Sequence, residues 1–244
     1  MKISVVIPAL DEAAWIVAAV ESACDRTPRE SRAEDHGGDA SGPVEVLVVD
    51  GGSRDQTRRL AREAGARVFS LPGGPGHARG RAAQLDLGSR AAQGQILLFL
   101  HADTRLEPGW SSEVEKLMSD PGVAGGAFTF QFLERGKWER WVQWWVGVRV
   151  ALLGLPYGDQ ALFVRREVLE QMGGIPNVPI MEDLDLVRGI RRAGRLGRLP
   201  LRAMTSSRRY RARGFRRTLL WHQVALLGWF LGWDRERLAA RMGR

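Results

Sequence analysis

The sequence predicts an α/β domain built on a mostly parallel central sheet flanked by helices. Three observations point there. Short apolar runs alternate with helical patterns from residue 3 to residue 100, the order that right-handed strand–helix–strand crossovers produce. The runs VEVLVV and ILLFL are almost continuously apolar, as strands buried on both faces are. Polar and acidic residues follow the strands, in IPALDE, VVDGGSRDQT and LHADT, where an open sheet binds its ligands.

The elements follow in order. Residues 3–7 read as a strand and 13–23 as a helix, with Asp11 and Glu12 near its start. Residues 26–43 are polar and aperiodic, which predicts an exposed loop. Residues 44–49 form a second strand, 54–64 a helix that Gly65 ends, 67–71 a third strand and 71–76 a Gly/Pro loop. A helix over 79–92 and a strand over 95–100 complete this half. The second half is less regular. It reads as a strand at 123–132, a Trp-rich helix at 138–153, a strand at 159–164 with a short helix to Met172, and a helix at 183–193. An Arg-rich extended piece, an apolar segment from Leu219 and a helix from Arg235 end the chain.

Composition narrows the class. The chain has 244 residues, 44% hydrophobic and 26% charged, enough for a packed core without metal or disulfide staples. Its single cysteine, Cys24, suits a reducing, cytoplasmic setting. No signal peptide is evident, and the longest apolar stretch, 218–233, is shorter than the roughly 20 residues a spanning helix needs. Neither a P-loop nor a GxGxxG turn follows the first strand, which disfavours a P-loop ATPase and a standard NAD enzyme.

Charge is uneven. The formal net charge is +8, yet sixteen arginines against Asp234 and Glu236 lie between residues 188 and 244, while the rest is slightly acidic. A basic tail of this kind suits nucleic acid, anionic lipid or solvent. No nucleic-acid-binding motif accompanies it, and strand-end acids would repel phosphate. We therefore expect no nucleic-acid partner.

The ordered set VVIPALDEA, VVDGGSRDQT, FLHADT and IMEDLDLVRGIRRAG resembles glycosyltransferase family 2 over nearly the whole chain. GRAAQLDLG, LHADT and GDQALFVRR further resemble a bacterial subgroup of radical-SAM/selenodomain-associated transferases. The resemblance implies the GT-A nucleotide-diphospho-sugar transferase fold. It also implies transfer of a sugar, with inversion, from a UDP- or GDP-sugar to an acceptor hydroxyl or carboxyl on a lipid or glycan.

Roles carry over residue by residue. Pro8, Leu10 and Glu12 would line base and ribose, Asp50 would bond the base, and Arg81 would reach the nucleotide or its phosphates. Asp103 matches the last Asp of the DxD metal motif, with His101 in place of the first. One carboxylate can still hold Mg²⁺ or Mn²⁺ when diphosphate oxygens and waters complete the shell. In Glu182-Asp183, matching the family's ED motif, Asp183 is the expected base; displacement at the anomeric carbon needs one. Asp159 and Gln160 would border the acceptor.

By this reading residues 1–207 form the GT-A domain. Residues 208–244 form a basic, Trp-containing helical extension on the domain or the membrane surface. Trp138, Trp141, Trp144 and Trp145, and Trp221, Trp229 and Trp233 beside arginines, have the composition of interfacial helices, though core or interface packing explains such stripes equally well. A cytoplasmic protein, peripheral on the inner membrane face, is the corresponding expectation.

Overall fold

The computed structural model describes residues 1–25, 44–72 and 80–242. The predicted loop at 26–43, most of that at 71–76 and the start of the helix at 79 lie outside these residues.

Eight strands form one sheet in the order β3-β2-β1-β4-β7-β6-β8-β5. They are β1 (Ile3–Ala9), β2 (Val44–Asp50), β3 (Arg67–Ser70), β4 (Ile96–Phe99), β5 (Thr104–Leu106), β6 (Val123–Phe132), β7 (Phe163–Arg165) and β8 (Arg195–Thr205). The first four run parallel, with Ile3 opposite Val44 on one side and Ile96 on the other. The rest is mixed: β7 runs antiparallel to β4 and β6, β6 and β8 are parallel, and β5 is antiparallel to β8. Strand order reverses between β1 and β4, so a crevice opens at their carboxyl ends.

Among the described residues ten α-helices accompany the sheet: α1 (Ile16–Ala23), α2 (Thr57–Glu63), α3 (Arg81–Ala91), α4 (Trp110–Met118), α5 (Lys137–Leu153), α6 (Arg166–Gln171), α7 (Glu182–Ala193), α8 (Arg208–Arg213), α9 (Phe215–Phe230) and α10 (Arg235–Arg241). Along β1, Ile3, Val5 and Ile7 join a core with α1, α2 and α4, whereas Val6 faces the opposite core with α3, α6 and α7. Burying both faces is why the strand reads as a solid apolar run. A third cluster sets Phe130 and Phe132 of β6 against α5, Tyr210 and Phe215.

Three expectations are corrected. The strand expected at 159–164 begins as a 3-10 turn, Gly158–Gln160, and the strand proper is Phe163–Arg165. The polar Gly-Asp-Gln segment bonds within its own turn before Ala161 redirects the chain at φ 46°. β5 and α4 lie where no element was expected. A three-residue strand carries too little periodicity to read, and α4 shows only Trp110, Val114 and Met118 on its buried side. The Arg-rich piece contains the long strand β8 and the short helix α8.

Gly88 explains part of the GRAAQLDLG pattern. A β-carbon there would collide with Val6 and meet Val49 Cγ2 at 3.0 Å, so α3 lies directly on β1 and β2. Gly88→Ala should therefore destabilise the protein by about 1–3 kcal/mol through overpacking. Urea denaturation should show a lower midpoint with unchanged m-value.

Candidate active site

The carboxyl ends of β1, β2 and β4 converge with the start of α7, and the arrangement turns on Arg81. It is the first residue of α3, after Gly80 at φ 90°. Its Nε donates to Glu182 Oε1, its Nη1 lies 2.8 Å from His101 Nε2, and its Nη2 lies 3.8 Å from Asp183 Oδ2. A guanidinium cannot accept a hydrogen bond, so His101 Nε2 accepts; the imidazole is neutral with its proton on Nδ1. Burial works against the charge on Arg81, but Glu182 and Asp183 outweigh it and hold the guanidinium protonated.

Asp183 is oriented by backbone. Its Oδ2 accepts from Gly158 N–H at 2.8 Å and its Oδ1 from Leu184 N–H at 3.0 Å. Glu182 is buried, 2% exposed, and held by Arg81 behind Asp183. Glu182 was expected among the catalytic residues, but only Asp183 of the pair lines the main cavity. Met181, just before them, sits in the left-handed region at φ 66°, a strained conformation for a side chain of that size.

On the other side Arg208 bridges two acids. Its Nη2 donates to Glu12 and its Nε to Asp103 Oδ2 at 3.1 Å, with Arg209 3.9 Å from both carboxylates. Burial outweighs these arginines and raises the Glu12 carboxyl above its ordinary range. Glu12 N–H donates to Thr57 Oγ1 at 2.8 Å, which fixes the end of β1 against α2.

The main cavity has a volume of about 470 Å³. Its floor holds Arg81, His101, Asp103, Asp159 and Asp183, and its roof holds Arg209, Arg213, Arg217, Trp221, His222 and Arg241. The roof residues come from α8, α9 and α10, so the C-terminal helices wall the site. They are tied down near it: Trp229 Nε1 and Arg235 bond Asp185, two residues past Asp183.

Several expected residues sit elsewhere. Asp50 is fully buried, and its carboxylate accepts from the Gly52 and Ser53 N–H groups at 3.1–3.2 Å, so it shapes the turn after β2 instead of facing the cavity. Gln160 is buried with its amide committed: Nε2 donates to Phe128 O at 3.1 Å and Oε1 accepts from Tyr157 N–H at 3.3 Å. Leu10 is 54% exposed and lines no described cavity. Pro8 lines a small pocket beneath Arg81.

Asp159 differs. Its Oδ1 is sealed from solvent and has no hydrogen-bond partner among the described residues, as is true of the Tyr157 hydroxyl beside it and of Arg149 Nε and Nη2. Arg149 stacks on the Tyr157 ring at 3.4 Å. Burial pushes the Asp159 carboxyl up to about 6, with nearby Asp183 adding to the rise against the pull of Arg149.

Sequence reasoning missed Arg208 and Arg209, which it placed in a surface tail, and Gln84, whose Nε2 clamps Ala9 O at 2.8 Å and Val49 O at 2.7 Å. The four-residue spacing of Arg209, Arg213 and Arg217 was a readable signal, hidden in a run of arginines.

Metal fit follows from the donors present. Among the described residues no three His, Cys, Asp or Glu side chains cluster to hold a metal ion. Asp103 offers one carboxylate, shared with Arg208. That fits a divalent cation whose remaining ligands are diphosphate oxygens and waters.

Residues 4–170 match the model for "Glycosyl transferase family 2", more than half of the chain. The chain belongs to this family. The match ends before Glu182-Asp183, so it does not itself cover those two residues. A curated relative, Glycosyltransferase AglE of Haloferax volcanii, is 26% identical over 182 residues, 72% of this chain and 56% of AglE. The chain thus spans about half the length of that relative.

Solved structures share the GT-A architecture. TarS of S. aureus superposes with TM-score 0.59 at 17% identity, over 85% of this chain and 37% of TarS. The mannosyltransferase PcManGT of Pyrobaculum calidifontis, in complex with GDP-Man and Mn²⁺, gives 0.57 at 19%, over 84% and 56%. Glucosyl-3-phosphoglycerate synthase of Mycobacterium tuberculosis, with Mn²⁺, UDP and glucosyl-3-phosphoglycerate, gives 0.55 at 23%, over 82% and 70%.

The raised Asp159 carboxyl has a consequence for stability. Unfolded, it loses its proton near pH 4; folded, near pH 6. Between these values the folded state binds more protons at this group, so its own contribution to stability should fall by roughly 2–3 kcal/mol as pH rises from 4 to 6. Asp159→Asn should lack this slope and be the more stable protein at pH 7, as urea denaturation at pH 4.5 and pH 7 would show.

Proposed function

We propose that this glycosyltransferase moves a hexosyl group, with inversion, from a UDP- or GDP-sugar to an acceptor hydroxyl or carboxyl. The observation that carries the reading is Asp183. It stands in the cavity with its carboxylate aimed by the Gly158 and Leu184 N–H groups and backed by the Arg81–Glu182 pair.

In the proposed reaction an acceptor oxygen attacks the anomeric carbon as the bond to the diphosphate breaks. Where that oxygen is a hydroxyl, its proton passes to an Asp183 carboxylate oxygen. Asp183 is a carboxylate locked in one orientation, which is what a base at a fixed distance requires. Glu182 acts as a positioning residue through Arg81. Asp159 and Tyr157 have polar atoms that sugar or acceptor hydroxyls would satisfy. Mg²⁺ or Mn²⁺ held at Asp103 would neutralise charge on the departing diphosphate. For Asp103 to serve, Arg208 must release it or share it.

The subgroup reading rests on the GRAAQ and GDQALF segments, whose Arg81 and Asp159 both face this cavity. Residues 208–242 are proposed as an extension that completes the site. We also propose peripheral contact with the inner face of the cell membrane and a lipid or cell-envelope glycan acceptor. Exposed Trp138, Trp141 and Trp144 on α5 and Leu220, Leu227 and Phe230 on α9 support this contact. No helix among the described residues is long and apolar enough to cross a membrane.

Asp183→Asn should lower turnover at least about a hundredfold, the usual contribution of a positioned base, while UDP or GDP affinity is retained. Titration calorimetry and donor-consumption assays would separate the two, and near-normal turnover would remove the base assignment. Mn²⁺ should tighten UDP or GDP binding by the wild type, and Asp103→Ala should abolish that enhancement.

A further inference from the structure

The roof of the cavity carries positive charge that no carboxylate among the described residues neutralises. Within the C-terminal segment, Arg208, Arg211, Arg235 and Arg237 all pair with carboxylates. Arg213, Arg217 and Arg241 face the cavity instead, and none has a carboxylate within 4.0 Å among the described residues. Arg213 reaches only the Met242 carbonyl, at 3.3 Å. Of the acids on the floor, Asp103 is engaged by Arg208 and Asp183 by the backbone, while Asp159 has no ion pair with a roof arginine within 4.0 Å.

Arg213, Arg217 and Arg241 are exposed residues that line one cavity, so their positive charges add there. An anion among them would accept forked, charge-assisted hydrogen bonds. We propose that Arg213, Arg217 and Arg241 form an anion subsite that binds a phosphate or carboxylate group of the acceptor. The proposal deepens the transferase reading and rests on it for the word acceptor. Location favours the acceptor over the donor. Arg209 is the roof arginine that borders Asp103, at 3.9 Å. Arg213 and Arg217 lie four and eight residues further along, toward α10. Trp221 and Tyr210 share the same cavity and give the subsite an apolar side, which suits an amphiphilic anion.

The test uses the full chain and inorganic phosphate as probe, titrated calorimetrically with UDP and GDP measured separately. Wild type should bind phosphate, and the Arg213→Gln/Arg217→Gln double variant should bind it at least about tenfold more weakly, the loss expected for removed charged hydrogen bonds. Nucleotide affinity should stay within about twofold, a change well under 1 kcal/mol. Arg216→Gln/Arg237→Gln removes the same charge from residues that do not line the cavity, and should leave phosphate binding intact.

No phosphate binding by wild type overturns the proposal, as does equal loss in both double variants, which would mean diffuse attraction. Loss of nucleotide together with phosphate in Arg213→Gln/Arg217→Gln overturns it in favour of a donor subsite. If wild type binds phosphate but neither nucleotide, the anion subsite stands and the donor reading falls. Competition then identifies the source. Displacement of phosphate by glycerol 3-phosphate points to a soluble acceptor. Displacement only by phosphatidylcholine vesicles containing phosphatidic acid points to a lipid headgroup.

Discussion

A half-buried guanidinium organises this site. Arg81 touches α7, through Glu182 and Asp183, and the end of β4, through His101. Those residues come from parts of the chain about 20 and 100 positions away. Each alone would be a poor tenant of a partly buried crevice. Glu182, at 2% exposure, would bear a desolvation cost without a partner, as would an unpaired Arg81. Together they satisfy one another, and the geometry that satisfies them also fixes the orientation of His101 and the start of α7. The ion pair is weak evidence for stability but strong evidence for specificity of arrangement: a lysine would supply the charge without the fork that reaches three partners.

The second constraint is the closure of the crevice by the C-terminal helices. Arg208 joins Glu12 at the end of β1 to Asp103 after β4. Ser207 N–H donates to Glu134 at 2.7 Å, and Arg211 reaches Glu139 at 2.8 Å. The slightly acidic body and the basic end are therefore complementary parts of one structure. Several of the opposite charges meet directly, Arg208 with Glu12 and Asp103, Arg211 with Glu139, and Arg235 with Asp185.

This explains what the sequence made legible. The parallel strands were readable because burial on both faces leaves a signal in every residue, as in Leu47, Val48 and Val49. The carboxyl-end location of the site followed from that topology, and the family motifs marked Asp103 and Asp183 within it. Individual roles were less readable. Asp50 and Gln160 belong to recognisable motifs, yet their polar atoms bind backbone of their own turns or of β6, which depends on rotamer and burial. Arg208 was unreadable for the opposite reason. Among sixteen arginines in the C-terminal stretch, only three-dimensional placement distinguishes one that bridges Glu12 and Asp103 from one that meets solvent.

The remaining feature is where the backbone is strained. Of the four non-glycine residues with positive φ among the described residues, Met181 lies in the cavity lining, Ala161 closes the turn that carries Asp159, and Asp11 adjoins Glu12. The conformation at Ala161 and Met181 costs of order 1 kcal/mol or more each and persists only where surrounding contacts over-determine it. Here they do. The 3-10 turn before Ala161 is held by Gln160, and the helix after Met181 is held by Arg81. These two strained points bring Gly158 N–H onto the Asp183 carboxylate, and they leave Asp159 close enough to Asp183 for the two charges to interact. Two carboxyls in one partly buried space favour different protonation states. The Asp183 carboxylate accepts from two backbone N–H groups, whereas Asp159 has an oxygen with no hydrogen-bond partner among the described residues and is pushed by burial up to about 6.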